Sequence, residues 1–199
     1  MDFYEVINKR RTIRQFEEGE IPKETLNRIL DAGLKAPSSN HLREWEIVTI
    51  TEKEIILNLA NFVKNYPCKY KEPKTPQEEC FKMSYPRQKS MVEESACVIL
   101  PFFKKKYSFD SPPKNFGLMD LGASWALIEN ILLAATYERL GTGIHIPVDK
   151  EQDCIKEFMK IPYNYYLPAM IMLGYRSEDA EIPKQVEASV EKNVHWNKW

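Results

Sequence analysis

Features that assign a function directly are scarce in this sequence. Only four of its 199 residues are cysteines, and their spacing matches neither a C-x-x-C pair nor a pair of zinc ligands, so we expect reduced thiols rather than a metal or redox site. No apolar run approaches the roughly 20 residues of a membrane-spanning helix, and the N-terminus lacks the apolar core of a signal peptide. The sequence therefore predicts a soluble, cytoplasmic protein without a membrane partner.

The chain also lacks an excess of charge of either sign. Lysine and arginine total 28 against 29 aspartate and glutamate residues, which leaves a net charge of -1. A protein without a global positive field is a poor candidate for binding nucleic acid, so small molecules or other proteins are the expected partners. The length, with no flexible linker and no internal repeat, predicts a single domain over residues 1–199.

Catalytic patterns built from side chains alone are missing as well. The sequence shows no catalytic triad, no paired-carboxylate site and no metal cluster, and its three histidines, His41, His145 and His195, are far apart. This is expected when a cofactor carries the reaction and the protein holds and tunes that cofactor.

What the sequence does contain is a dense group of arginines near its N-terminus. Arg10, Arg11 and Arg14 surround Thr12 in the segment RRTIRQF, directly after a predicted amphipathic helix over about residues 2–11. Guanidinium groups match phosphate oxygens in shape and stay charged at any working pH. The segment predicts an anion site, although a solvated basic face, or pairing with the glutamates that follow, would leave the same pattern.

A second polar group lies where another predicted helix ends. Pro37 cannot continue a helix, and the next residues crowd hydrogen-bonding groups into a loop: Ser38, Ser39, Asn40, His41 and Arg43. The loop precedes WEIVTI, residues 45–50, which is typical of a strand. Loops on a rigid frame commonly carry ligand contacts.

The first half of the chain predicts three further helical segments. Pro22 should open the second helix of the chain, and Thr51 with Glu54 has the capping-box pattern of a third. After a loop over about residues 66–75, helical character from 77 to 94 is expected to break at Pro86.

The second half predicts two buried strands and one long helix. The strands cover residues 96–103, with Pro101 near the end, and 169–175. The long helix covers residues 118–140, and its broad apolar face indicates burial on several sides. We expect Gly141 and Gly143 to end it in a left-handed turn, and Asp149, with Gln152 as the capping-box partner, to begin another helix.

Four of these segments together resemble the FMN-dependent nitroreductase family. They are the arginine segment, APSSNHLREW at 36–45, LGTGIHIP at 140–147 and IPYNYYLPAMIMLGY at 161–175. The resemblance implies an α+β, three-layer fold with a central mixed or antiparallel sheet flanked by helices. It also implies a homodimer, in which the long helix packs on its counterpart and residues 176–199 form an arm on the partner subunit.

The same resemblance implies where FMN binds. Arg10, Arg11 and Arg14 would hold the phosphate, with Thr12 beside it and Lys184 as a further cation. Ser38, Ser39 and Asn40, from the other subunit, would reach the ribityl chain or the ring edge. His41 stands where the family often has asparagine, and it can still form a hydrogen bond.

The ring of the flavin would lie against the segment after the glycines. Ile144, His145 and Ile146 are the residues implied near N5 and O4 of the isoalloxazine. Lys89 or Gln88 is a weaker candidate for the pyrimidine edge, where a cation or an amide would stabilise the reduced ring. The alternative for both is an ordinary surface position on a helix.

The implied activity is a ping-pong oxidoreductase reaction. NADH or NADPH would pass hydride to N5 of FMN, so no side chain is required as a catalytic group, and a nitroaromatic, a quinone or a related acceptor would take the electrons. Arg43 would favour an acidic substrate or a nicotinamide phosphate, unless it forms a salt bridge with Glu44 or Glu46. Dehalogenation, flavin breakdown, or a flavin-binding sensor closed by residues 66–115 remain alternatives.

Overall fold

The structure, a computed structural model, describes residues 1–106, 114–148 and 150–199, and of residues 114–117 it describes only the helical backbone. The predicted helix cap at Asp149 lies outside these residues. The helices are α1 Phe3–Lys9, α2 Lys23–Leu34, α3 Lys53–Phe62, α4 Pro76–Ser84, α5 Gln88–Glu94, α6 Lys114–Tyr137, α7 Glu151–Phe158 and α8 Val190–Asn193. The strands are β1 Phe16–Glu17, β2 Trp45–Ile50, β3 Cys97–Lys104, β4 Gly141–His145, β5 Tyr165–Tyr166 and β6 Met170–Arg176.

The described strands form one sheet in the order β1-β6-β3-β2, with β4 also paired to β6 and β5 paired to β3. Each of these strand pairs is antiparallel. The exception is an isolated parallel bridge between Thr12 and Thr142, outside the named strands. The predicted α+β fold with a central mixed or antiparallel sheet is confirmed.

Alternating residues of the central strands face two separate hydrophobic cores. In β3, Val98, Leu100 and Phe102 pack in one core with residues of α3, α5 and α7. Cys97 and Ile99 pack in the other core, with residues of α2 and α6. Because successive side chains of a strand point to opposite faces, the sheet is covered by helices on both sides, and the predicted three layers are present.

Prolines mark several boundaries as the sequence predicts. Pro22 is the N-cap of α2, and Pro86 lies in a 3-10 turn, Tyr85–Arg87, between α4 and α5.

Pro101 is not near the end of its strand, because it is the fifth of the eight residues of β3. On the edge of β3 that faces β5 and β6, Pro101 falls between the residues paired with β6 (97–99) and those paired with β5 (103–104). No described strand pairing on that edge therefore requires a hydrogen bond from residue 101, whose proline lacks the N–H.

The predicted capping box of α3 is wrong. The N-cap is Glu52 rather than Thr51, and no side-chain hydrogen bond caps the helix. A capping box occurs instead at α1, where Asp2 Oδ1 accepts a hydrogen bond from the Glu5 N–H and Glu5 Oε2 accepts one from the Asp2 N–H, each at 2.9 Å. The predicted partner of Asp149, Gln152, accepts a hydrogen bond from the Leu167 N–H at 2.7 Å.

The predicted left-handed glycine turn after α6 is also wrong. No glycine has a positive φ among the described residues, and Arg139, with φ of 66°, takes the left-handed position. Gly141 and Gly143 lie in β4. A Cβ at Gly143 would lie 2.7 Å from the Ile13 carbonyl oxygen, so this glycine allows the backbone around Ile13 to approach the strand.

Helix α6 has one buried face and one exposed face. Leu127, Ile128 and Ile131 are fully buried, whereas Leu118 and Tyr137 are more than half exposed. By length and composition alone, the stretch Leu118–Tyr137 could cross a membrane. The core helix of a folded domain passes the same test, and α6 packs here against α2 and β3.

Candidate functional site

The arginine segment lies directly beside β4. Helix α1 ends at Lys9, so the residues after it are not helical. The Ile13 N–H donates to the Thr142 carbonyl oxygen at 2.8 Å, and Thr12 forms the parallel bridge with Thr142. The structure therefore holds the predicted anion-binding residues against the strand that continues into Ile144 and His145.

Two of the three arginines have partners within the subunit. Arg11 Nη1 donates to the carbonyl oxygens of Asn8 at 2.7 Å and Arg10 at 2.6 Å. Arg10 Nε lies 3.7 Å from Glu129 Oε1 on α6. The predicted alternative, pairing with the glutamates at 17, 18 and 20, is not found among the described ion pairs.

Arg14 is the exception, because part of its guanidinium is buried and unsatisfied. Within the described part of the chain, Arg14 Nε and Nη1 are buried and have no hydrogen-bond partner. Burial lowers the pKa of Arg14 from its ordinary value, and the adjacent Cys80 thiol opposes that shift. A buried donor without an acceptor is costly, so this group is suited to a bound anionic or polar ligand.

A basic cavity of about 380 Å³ opens next to this segment. Its cationic lining residues are Lys9, Arg11, Arg139 and Arg176, and Ile182 from the C-terminal segment completes one wall. Lys184, two residues further along, is exposed and forms no hydrogen bond or ion pair among those described. The prediction that Lys184 contributes a cation to the phosphate site thus stays a prediction.

The polar loop at residues 38–43 has an unusual backbone. Asn40, His41 and Arg43 have φ values of 50°, 55° and 47°, in the left-handed region that few side chains favour. The Ser38 hydroxyl accepts a hydrogen bond from the Arg43 N–H at 3.0 Å. Ser39 begins the 3-10 turn that runs to His41, so the loop has a defined shape.

The salt bridge considered for Arg43, with Glu44 or Glu46, is not found among the described ion pairs. Glu44 pairs with Lys106, and no described ion pair involves Arg43. The loop borders Asp120 at the start of α6. Burial raises the pKa of the Asp120 carboxyl, which Lys106 opposes and Glu44 reinforces.

No described contact joins the polar loop to the arginine segment within one subunit. The loop borders α6 at Asp120 and Ala123, whereas β4 begins after the end of α6 at Tyr137. No described hydrogen bond or ion pair joins the loop to residues 10–14 or 144–146, and an assignment of the loop to another subunit's site stays a prediction.

A second cavity of about 380 Å³ lies against the C-terminal end of β4 and the residues that follow it. It is lined by Ile144, His145, Ile146, Val148 and three residues from the middle of the chain, Tyr66, Tyr85 and Gln88. Of the two candidates on α5, Gln88 faces this cavity. Lys89 Nζ contacts Asn61 Oδ1 at 3.1 Å and Glu93 Oε1 at 3.6 Å.

A buried polar network supports the wall of this cavity. The side chain of His145 is 2% exposed, and its Nε2 lies 2.8 Å from Glu151 Oε2. Its Nδ1 lies 2.9 Å from Gln88 Oε1. Burial raises the pKa of the Glu151 carboxyl, but hydrogen bonds from the Val148 N–H, His145 and the Lys64 N–H outweigh it and hold that pKa below its usual value.

The sequence profile of the Nitroreductase family matches residues 7–175 of this chain. That range includes the arginine segment, the 38–43 loop and β4. The chain belongs to the nitroreductase family. The resemblance seen in the four sequence segments is thereby confirmed.

Several known proteins match over nearly the full chain. A protein of Methanothermobacter thermautotrophicus, named as a candidate NADH dehydrogenase or NAD(P)H nitroreductase, is 26% identical, with 100% of this chain and 88% of that protein covered. Iodotyrosine deiodinase of Nematostella vectensis is 23% identical, with 96% and 73% covered. The structure of an FMN-dependent nitroreductase from Clostridium difficile matches with a TM-score of 0.71 and 25% identity, and 98% of each chain is covered.

Sequence reasoning missed two features of this nitroreductase-family site. The His145–Glu151–Gln88 network joins residues 57 and 6 positions apart, and no spacing rule connects them. The unsatisfied state of Arg14 depends on burial, which the sequence does not display. Within the described ranges no group of three or more His, Cys, Asp or Glu side chains could hold a metal ion.

Proposed function

We propose that the chain is an FMN-dependent oxidoreductase that takes a hydride from NADH or NADPH and passes it, by a ping-pong mechanism, to a nitroaromatic, quinone or related acceptor. FMN supplies the redox chemistry when bound, and the side chains bind it and shape the pocket. The family membership and the activities in the names of its relatives support this proposal.

The single observation that carries the proposal is the state of Arg14. Its buried Nε and Nη1 lack acceptors among the described residues. Arg14 directly follows Ile13, whose N–H donates a hydrogen bond to the Thr142 carbonyl oxygen of β4. A phosphate or another electron-rich edge of FMN would supply them, in charge-assisted hydrogen bonds. We assign Arg10, Arg11, Thr12 and Arg14, with Lys184, to the phosphate end of the cofactor.

The remaining assignments place the ring at β4 and complete the site across a dimer. Ile144, His145 and Ile146 would lie along the ring, and the partner subunit's copies of Ser38, Ser39, Asn40 and His41 would close it. The exposed face of α6 and the exposed tryptophans of the tail, Trp196 and Trp199, support a homodimer with residues 176–199 as an arm of one single domain. We place this activity in the cytoplasm.

A second candidate is reductive dehalogenation in the same pocket. It is favoured by the match to an iodotyrosine deiodinase and by Tyr66 and Tyr85 in the cavity wall, whose ring centroids lie 6.2 Å apart. The described residues of the middle segment leave a cavity of about 380 Å³ beside Ile144, which favours an accessible pocket over a flavin sensor closed by residues 66–115.

The test compares two arginine variants. Arg14→Ala removes donors from the proposed phosphate site, and the loss of one charge-assisted hydrogen bond, about 1.5–3 kcal/mol, should weaken FMN binding roughly 10- to 150-fold. Arg28→Ala is the matched control, because Arg28 pairs on the surface with Glu138 at 2.8 Å and should leave FMN affinity unchanged. Affinity is measured by titrating FMN and following the quenching of its fluorescence. Equal affinity of Arg14→Ala and the parent chain would remove Arg14 from the site.

A further inference from the structure

The hydrogen bonds around His145 determine where its protons are. Gln88 Nε2 donates to the Ser84 carbonyl oxygen at 2.8 Å. A carbonyl only accepts hydrogen bonds, so the amide cannot be flipped, and its oxygen is the atom that faces His145. Gln88 Oε1 is 2.9 Å from His145 Nδ1, and because that oxygen is also only an acceptor, Nδ1 carries a hydrogen.

The second ring nitrogen faces an acceptor as well. His145 Nε2 is 2.8 Å from Glu151 Oε2, which also accepts a hydrogen bond from the Val148 N–H at 3.0 Å. The other carboxyl oxygen accepts from the Lys64 N–H at 3.1 Å and the Tyr66 hydroxyl at 3.2 Å. These three donors, none of them from His145, favour the ionised form of the carboxyl group, so Nε2 carries a hydrogen too.

His145 therefore has the hydrogen-bond environment of an imidazolium ion. It is 2% exposed, and Glu151 is the counter-ion. The elements around the ring present no other charge to it in the described contacts: Gln88 is neutral, Tyr66 contacts Glu151, and the neighbouring Lys89 turns to Asn61 and Glu93.

Of the two members of the ion pair, His145 faces the cavity. His145 and Gln88 are among the residues that line the cavity beside Ile144 and Ile146, whereas Glu151 is not among its described lining residues. The positive end of the pair thus faces the cavity, and the carboxylate lies behind it. Because the His145 side chain is itself 2% exposed, water screens its charge little, and the charge acts on a neighbouring ligand more strongly than a solvated one would.

We propose that His145 is a buried imidazolium, positioned by Gln88 and Glu151, that favours negative charge on the ligand in this cavity. On the proposed function, that ligand is FMN, whose ring is more negative when reduced than when oxidised. His145 then binds the reduced cofactor selectively and raises its midpoint potential. It acts through its charge, as a positioning and tuning residue.

The first test needs no flavin. NMR of the apo chain with ¹⁵N-labelled histidine reports whether each ring nitrogen carries a hydrogen, and the signal of His145 is identified by its loss in His145→Gln. We expect both nitrogens of His145 to carry hydrogens at pH 7. In Glu151→Gln, which removes the counter-ion, one nitrogen should lose its hydrogen. A bare ring nitrogen in the parent chain at pH 7 would overturn the proposal.

The second test measures the midpoint potential of bound FMN. In both His145→Gln and Glu151→Gln, the preference for reduced over oxidised FMN should fall about tenfold, which lowers the potential by about 30 mV for a two-electron couple. Two variants are used because either one can fail to fold. Glu138→Gln is the matched control, since Glu138 pairs with Arg28 on the surface, and its potential should equal that of the parent.

The two tests separate failure of this inference from failure of the proposed function. A potential that is unchanged or higher in both variants overturns the role of His145 while leaving FMN binding established. A parent chain that binds no FMN overturns the proposed function, and the NMR experiment then decides the protonation of His145 by itself.

Discussion

The contact between Gly143 and Ile13 gives a prediction that can be worked out from the structure. A Cβ at Gly143 would lie 2.5 Å from Met91 Sδ and 2.7 Å from the Ile13 carbonyl oxygen. The Met91 side chain is flexible and can move aside. The carbonyl belongs to backbone that is bound to the same strand through the Ile13 N–H, 2.8 Å from the Thr142 oxygen, so it cannot move without displacing the arginine segment.

Gly143→Ala should therefore destabilise the fold and weaken FMN binding together. Overpacking of this kind costs about 1–3 kcal/mol, and at about 2–4 °C per kcal/mol for a chain of this size the Tm should fall by roughly 2–12 °C. Urea unfolding followed by circular dichroism gives the free energy of unfolding, and an FMN titration gives the affinity.

Gly122→Ala is the matched control for this substitution. Apart from its chain neighbours and the backbone of its own helix, no atom of the described residues lies within 4 Å of a Cβ at Gly122. The position is in a helix, where alanine is favoured over glycine by about 1 kcal/mol. The two variants should differ in the sign of their effect on subunit stability. A Gly143→Ala chain as stable as the parent, with unchanged FMN affinity, would refute the argument that this glycine admits the arginine segment.

Three further predictions concern other parts of the molecule. The pKa of Glu151 is held below its unfolded value of about 4.3. Its contribution to stability is therefore present above that pH and is lost as the pH falls through the folded pKa. In urea unfolding between pH 3 and 7, the free energy of unfolding should fall less steeply towards acid pH in Glu151→Gln than in the parent chain. Burial raises the pKa of the Cys97 thiol to about 12, so at pH 8 a thiol reagent should label Cys97 only after unfolding, as mass spectrometry would show. Leu118 is 53% exposed on α6, and Leu118→Glu should yield monomers in light scattering and lower FMN affinity, because the loop Ser38–His41 of a partner is then absent.

Local signals in the sequence were enough for much of the fold. Proline at positions 22 and 86 marks a helix start and a helix break because its ring fixes φ and removes an N–H, and both effects are independent of the rest of the chain. The strand predicted at WEIVTI matches β2, Trp45–Ile50. The alternation of side chains in β3 and β6 then places one core on each face of the sheet.

The errors arose where tertiary contacts override a local pattern. Gly141 and Gly143 follow a helix, as glycines of a left-handed turn do, but they are needed for close approach of Ile13 and Met91. Arg139 adopts the left-handed conformation in their place. The sequence pattern correctly predicts that the helix ends before residue 141, whereas the reason for the glycines lies in the neighbouring segment at Ile13.

The candidate site shows the same division. The arginines were recognised because three of them lie within five positions, and the chemistry of guanidinium groups makes that density informative. The burial of Arg14 and the His145–Glu151 pair depend on elements that the fold brings together, so their state could not be predicted from spacing. The assignment of individual FMN contacts stays a prediction.

The most direct test of the account is the visible absorption spectrum of the chain, reconstituted with FMN and then mixed anaerobically with NADH or NADPH. We predict a bound flavin whose visible absorption is bleached by at least one of the two nicotinamides. A chain that cannot be loaded with FMN, or a bound flavin that stays oxidised with both, would contradict the proposal that this protein is an FMN-dependent oxidoreductase.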